Sequence, residues 1–165
     1  MTLSKPLKFT DFVQPICLPK SDDRIFRRCK VSGYGDLGTN STKFTLPTSL
    51  QKTRIARVKT NIACKQYARK HIRTYIGKLQ LESLVQKRNI YENALCGFGR
   101  DTDTCAGDSG GPLVCEEHND YGETIYSLQG IVSNGYHCKK AAKRGVPGIY
   151  TRVGKYINWI KSGKP

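Results

Sequence analysis

A chain of 165 residues and 18.5 kDa has room for one domain and little more. Hydrophobic residues make up 38%, which excludes whole-chain disorder, and no run approaches the ~20 apolar residues of a membrane-spanning helix. Lys+Arg 28 against Asp+Glu 13 gives a net charge of +15, which favours anionic partners.

The N-terminal segment, Met1 to Phe12, lacks the apolar stretch and small-residue cleavage site of a secretory signal. Phe9 to Leu18 reads as a mixed apolar loop and strand closed by Pro19. Cys29 to Gly35 alternates and ends in a glycine-rich turn, and Leu50 to Val58 alternates apolar and basic residues as a half-buried strand does. Lys65 to Arg88 reads as a helix, with Ile72, Ile76 and Leu79 at i, i+4, i+7. Gly111 to Cys115, Tyr126 to Ser133 and Gly148 to Val153 are short β-type runs. A closing helix carries Val153, Tyr156, Ile157 and Ile160 on one face. Glycine and proline supply 23 of the 165 residues, as a turn-rich fold requires. These elements predict an all-β domain with a terminal helix.

Seven cysteines, at 17, 29, 64, 96, 105, 115 and 138, are many for a reducing cytosol. Neither a C-x2-C nor an H-x3-H pair occurs, so zinc is a poor reading and disulfides are the better one. The expected setting is extracellular or otherwise oxidising, and no metal or cofactor is implied. An odd count leaves at least one thiol free or bonded outside the chain.

The charge is uneven. Between Lys52 and Arg88 stand eleven basic residues and one acid, Glu82. Such a region can bind a polyanion, or simply form a solvated basic face. Aromatic residues there are few (Tyr67, Tyr75) and no nucleic-acid motif accompanies them, so no specific nucleic-acid partner is expected.

The chemistry concentrates at Asp103 to Leu113, Asp-Thr-Cys-Ala-Gly-Asp-Ser-Gly-Gly-Pro-Leu. A serine hydroxyl becomes a useful nucleophile when a base takes its proton and donors stabilise the oxyanion. Glycines on both sides of Ser109 allow a tight turn that aims the N–H groups of Gly107 and Ser109 at one point.

With these residues in view, the chain resembles the C-terminal part of a trypsin-like serine protease of the chymotrypsin fold. The resemblance runs from Phe9-Thr-Asp-Phe-Val-Gln-Pro-Ile-Cys-Leu-Pro through Val31-Ser-Gly-Tyr-Gly, Gly107-Asp-Ser-Gly-Gly-Pro-Leu, Ile131-Val-Ser-Asn-Gly and Pro147-Gly-Ile-Tyr-Thr-Arg-Val to Trp159-Ile. It implies the second six-stranded antiparallel barrel of a two-barrel secreted endopeptidase, with residues 1–165 forming the C-terminal part of the peptidase domain and the first barrel mostly absent. It also implies hydrolysis after Lys or Arg through an acyl-enzyme on Ser109. The rival expectation is a non-catalytic, protease-like binding module that holds a partner in its cleft or on its basic loop, and a third is a polyanion-binding protein.

Residue by residue, Ser109 matches the nucleophile, and Gly107 with Ser109 the oxyanion hole. Asp103 matches the carboxylate at the base of the primary specificity pocket, where an unpaired buried charge selects a cationic side chain. Gly135 and Gly148 match the pocket walls, and Ser133 to Gly135 the edge that pairs with substrate backbone. Asn134 replaces the family's usual tryptophan. Asp108 matches the residue that pairs with the new N-terminus of activated members. The family pattern implies disulfides Cys29–Cys115, Cys64–Cys96 and Cys105–Cys138, leaving Cys17 for a light chain or pro-segment.

The departures matter as much. No Thr-Ala-Ala-His-Cys-like segment supplies the catalytic histidine, and His71, His118 and His137 stand in other contexts. The catalytic aspartate is expected in a strand just before Met1, so the serine alone of the triad is present and the isolated chain is expected to be inactive. The Cys64 to Cys96 loop encloses 31 residues, longer than in simple trypsins, with a basic insertion at about 65–90. Asn40-Ser41-Thr42 is a glycosylation acceptor triplet.

Overall fold

The computed structural model describes residues 3–20, 28–38, 43–55, 57–59, 92–99, 103–134 and 147–163. The helix expected over Lys65 to Arg88, the Asn40 acceptor, Gly135, Cys64, Cys138, His71 and His137 lie outside the described residues.

Among the described residues, seven strands form one antiparallel sheet: β1 (Cys29–Gly33), β2 (Gln51–Ile55), β3 (Arg57–Lys59), β4 (Ala94–Phe98), β5 (Pro112–His118), β6 (Thr124–Asn134) and β7 (Gly148–Arg152). Their order is β2-β1-β5-β6-β7-β4-β3. The two edge strands, β2 and β3, are separated by a single residue in sequence, so the sheet curls until its edges meet. Counted as the one run that the alternation of Leu50 to Val58 predicts, they make the barrel six-stranded. The fold is all-β, the second barrel of the chymotrypsin fold with a short terminal helix.

Alternation explains which side of each strand faces inward. Along β5, Leu113, Cys115 and Glu117 are buried while Val114 and Glu116 are half-buried. Tyr150, Ile55, Leu95, Leu113 and Val58 are fully buried at the centre, each of the four aliphatic side chains stabilising the fold by about 1.5–3 kcal/mol. Cys29 and Cys115 face each other across β1 and β5 and form a disulfide with an S–S distance of 2.03 Å. Cys96 and Cys105 are also disulfide-bonded, to partners outside the described residues. Cys17 is free and exposed.

Strand β6 is irregular at two places, between Leu113 and Val114 of its β5 pairing and between Val132 and Asn134 of its β7 pairing. Bulges of this kind re-aim side chains beside functional sites. The first accommodates a buried polar pair, in which Gln129 Nε2 donates to Ser127 Oγ at 2.6 Å.

Two parts depart from the sequence expectation. Strand β4 is a short apolar run that the alternation pattern does not single out, yet it joins β3 to β7 and buries Ala94, Leu95 and Cys96. The C-terminal segment is a 3-10 turn (Val153–Tyr156) followed by α1 (Ile157–Ser162). Six residues make less than two turns, so the expected stripe buries Val153 and leaves Ile160 39% exposed. The N-terminal segment is tied down where Leu128 N–H donates to the Cys17 carbonyl at 2.9 Å, while Leu3, Leu7, Phe9 and Phe12 project into solvent.

Candidate active site

The loop between residues 103 and 111 is held from both sides, and Ser109 sits on it, exposed. On one side, Asp108 turns inward. Its Oδ1 accepts the Gly35 N–H at 2.9 Å, and its Oδ2 accepts the Cys105 N–H at 2.9 Å. The approach needs glycine at position 35, because a Cβ there would lie 2.5 Å from the Asp108 carboxylate. The Asp36 N–H adds a bond to the Ala106 carbonyl at 2.8 Å. On the other side, Gly110 N–H donates to Val132 O and Val132 N–H to Gly111 O, both at 2.9 Å. The serine is thereby fixed between the end of β1 and the segment of β6 that leads to Ser133 and Asn134.

Local backbone conformation sets the donors. Gly107 has φ +96° and Gly110 φ +84°, a region side chains avoid, so the turn through Ser109 depends on its glycines. Among the described residues the N–H groups of Gly107 and Ser109 meet no acceptor. Two open donors flanking a serine hydroxyl can receive a developing oxyanion.

Asp103 lies six residues before the serine. Its Oδ1 accepts the N–H of buried Thr104 at 2.8 Å, while Oδ2 is buried with no partner among the described residues. Burial pushes this carboxyl up to about 6, the Thr104 hydrogen bonds opposing the shift. Gly148 and Tyr150 of β7 stand against it: a Cβ on Gly148 would be 2.8 Å from Asp103 Oδ1 and 3.2 Å from the Tyr150 hydroxyl. Burial also pushes the Tyr150 phenol above its ordinary value, so it stays a neutral hydroxyl. Neither Thr104 nor Tyr150 stands out in the sequence, where one falls within the serine motif and the other within a strand run. Their proximity to Asp103 appears only once β7 is paired.

A cavity of about 300 Å³ reaches Asp103, Thr104 and Asp108 on one side and Gly33, Gly35 and Thr53 on the other. Ser109 and Gly148 are not part of its lining. His118, the one histidine among the described residues, is at the far end of β5, six residues and ~20 Å beyond Pro112. The geometry therefore assembles a serine, two N–H groups without an acceptor and a buried carboxylate, without a base beside the serine among the described residues. No group of metal-ligating side chains occurs among those residues.

The family model described as Trypsin matches residues 1–160. The chain belongs to the trypsin family of serine proteases. Melanization protease 1 of Drosophila melanogaster is 32% identical over 168 aligned positions, covering 98% of this chain and 36% of that protein. Kallikrein 1-related peptidase b11 of Mus musculus is 32% identical over 164 positions, covering 98% of this chain and 50% of that one. The chain thus spans half or less of the length of these two relatives. In structure it is similar to mouse neuropsin, a serine protease expressed in the limbic system, with a TM-score of 0.62 and 34% identity. That match covers 96% of this chain and 57% of the neuropsin chain. No helix among the described residues is long and apolar enough to cross a membrane.

Proposed function

We propose that this chain carries the serine half of a trypsin-like endopeptidase site: Ser109 as nucleophile, the Gly107 and Ser109 N–H groups as oxyanion hole, and Asp103 as the selector for Lys or Arg. The observation that carries the reading is the buried, unpartnered Oδ2 of Asp103 beside Gly148. A carboxylate so placed is satisfied by a cationic side chain and left unpaired by a neutral one, which is the basis of strong discrimination. Ser133 and Asn134 would pair with substrate backbone as an added strand. Asp108 is the conformational anchor of the loop.

In this proposal the chain is the second-barrel part of the peptidase domain, and the general base is supplied by a histidine outside it. The exposed Leu7, Phe9 and Phe12 support that arrangement as surface suited to a packed neighbour. Without the base the chain alone does not turn over substrate. The disulfides support an extracellular, oxidising location, and exposed Cys17 is available to a light chain or pro-segment. A second reading, a protease-like module that binds without cutting, is favoured by the place of His118 at the far end of β5, since it is the one histidine among the described residues.

The test uses p-aminobenzamidine, a fluorescent amidinium the size of an arginine head. It should bind the chain at pH 8, with binding lost in Asp103→Asn and in Gly148→Val, whose Cβ enters the space beside Asp103. Unchanged binding in both variants would refute Asp103 as the selector.

A further inference from the structure

The outer face of β1 and β2 is cationic by register. Lys30 lies opposite Arg54 and Ser32 opposite Lys52, and directly opposed residues project to the same side of a sheet. Cys29, Val31 and Ile55, which alternate with them, are buried on the other side. Lys52 and Arg54 are exposed and two residues apart, ~7 Å along the strand, and Lys30 stands ~5 Å across from Arg54. Lys52 also lines the cavity described above. Arg28, immediately before β1, extends the row and is 82% exposed.

Among the described residues a carboxylate meets the Arg28 and Lys30 end of this row. Glu116 on β5 lies 3.7 Å from Arg28 Nη1 and 3.6 Å from Lys30 Nζ. These are long ion pairs at the surface, which contribute little to stability, and one carboxylate cannot neutralise two cations. The patch keeps a net positive charge on rigid strands stapled by Cys29–Cys115. Lys30 is further held 5.5 Å over the Tyr126 ring.

We propose that this β1–β2 face binds a linear sulfated polysaccharide. Three features select that ligand class. The cations form a row on a stiff surface, which suits regularly spaced sulfates. Tyr126 is the one aromatic ring in contact with the row among the described residues, and Lys30 lies over it, whereas single-stranded nucleic acid is held by several rings in succession. The disulfide-stabilised barrel belongs to an oxidising setting, where sulfated glycans are the available polyanions. The overall charge of +15 steers such a chain towards the protein, and the β1–β2 row seats it.

The experiment measures binding of the full chain to a heparin octasaccharide across a range of salt. In Lys30→Gln/Lys52→Gln, the slope of log K against log salt should become shallower by about two. Lys5→Gln/Lys8→Gln removes the same charge from the exposed N-terminal segment and should leave the slope unchanged. Glu116→Gln removes the carboxylate at the row and should strengthen binding. Equal losses in the two double variants would reduce the effect to bulk charge and overturn the proposal. So would weaker binding in Glu116→Gln. Tighter binding to single-stranded DNA or to phosphatidylserine vesicles than to heparin would overturn the choice of ligand.

Discussion

Asp108 is the most informative residue to change, because the site loop hangs on its carboxylate. Asp108→Ala removes both acceptors at once and strands the N–H groups of Gly35 and Cys105, each now bonded at 2.9 Å. A hydrogen bond to a charged group contributes about 1.5–3 kcal/mol, so two give ~3–6 kcal/mol. Asp108 is half-buried and water can reach part of the vacated space, which places the expected loss near ~3 kcal/mol. In a chain of this size that lowers Tm by about 6–12 °C. Asp108→Asn keeps one acceptor and should lose about half as much. Urea unfolding monitored by tryptophan fluorescence gives the energies, and amide hydrogen exchange reports Gly35 and Cys105 individually. The two amides should lose protection together in Asp108→Ala. A stability change below ~1 kcal/mol with both amides still protected would refute the view that this carboxylate anchors the loop.

Two further predictions concern the same barrel. Asp103 has a folded value raised to about 6 from the ordinary 3.8, so the native state binds more protons than the unfolded state between those limits. Its contribution to stability therefore falls as pH rises from about 4 to about 6, and Asp103→Asn should flatten that slope in pH-dependent unfolding. Amidinium affinity should move the opposite way, weakening as pH drops through about 6 and the carboxylate is neutralised. The disulfide Cys29–Cys115 closes a sequence separation of 86. In the chain-entropy view, Cys29→Ala/Cys115→Ala should cost about 4–5 kcal/mol in denaturant unfolding, and an unchanged midpoint would contradict it.

The serine loop was the most legible part of the sequence. Gly-Asp-Ser-Gly-Gly carries its own geometry, because glycine at 107 and 110 permits the positive φ that the turn adopts. Strands β1, β5, β6 and β7 were also legible, since alternation marks a sheet with one buried face. Other features depend on long-range pairing. Asp108 meets Gly35 across 73 residues, and Tyr150 meets Asp103 only after β7 joins β4 and β6. Nothing local signals either contact. Strand β4 escaped because Ala94-Leu-Cys-Gly-Phe is buried on both faces and has no alternation to read. The terminal helix showed the opposite failure: its apolar period was clear, but period alone does not say that six residues are too few to bury the stripe.

The central proposal is that Ser109 is a nucleophile held on an ordered glycine-rich turn, with no base beside it among the described residues. Its most direct measurement exposes the purified chain to a fluorophosphonate probe and an arginyl amide substrate, with Ser109→Ala as the control. The account predicts no turnover and no stoichiometric labelling of Ser109, since an unactivated serine hydroxyl is a feeble nucleophile near neutral pH. Turnover together with labelling that vanishes in Ser109→Ala would contradict it, and would place a working base beside Ser109 in the chain itself.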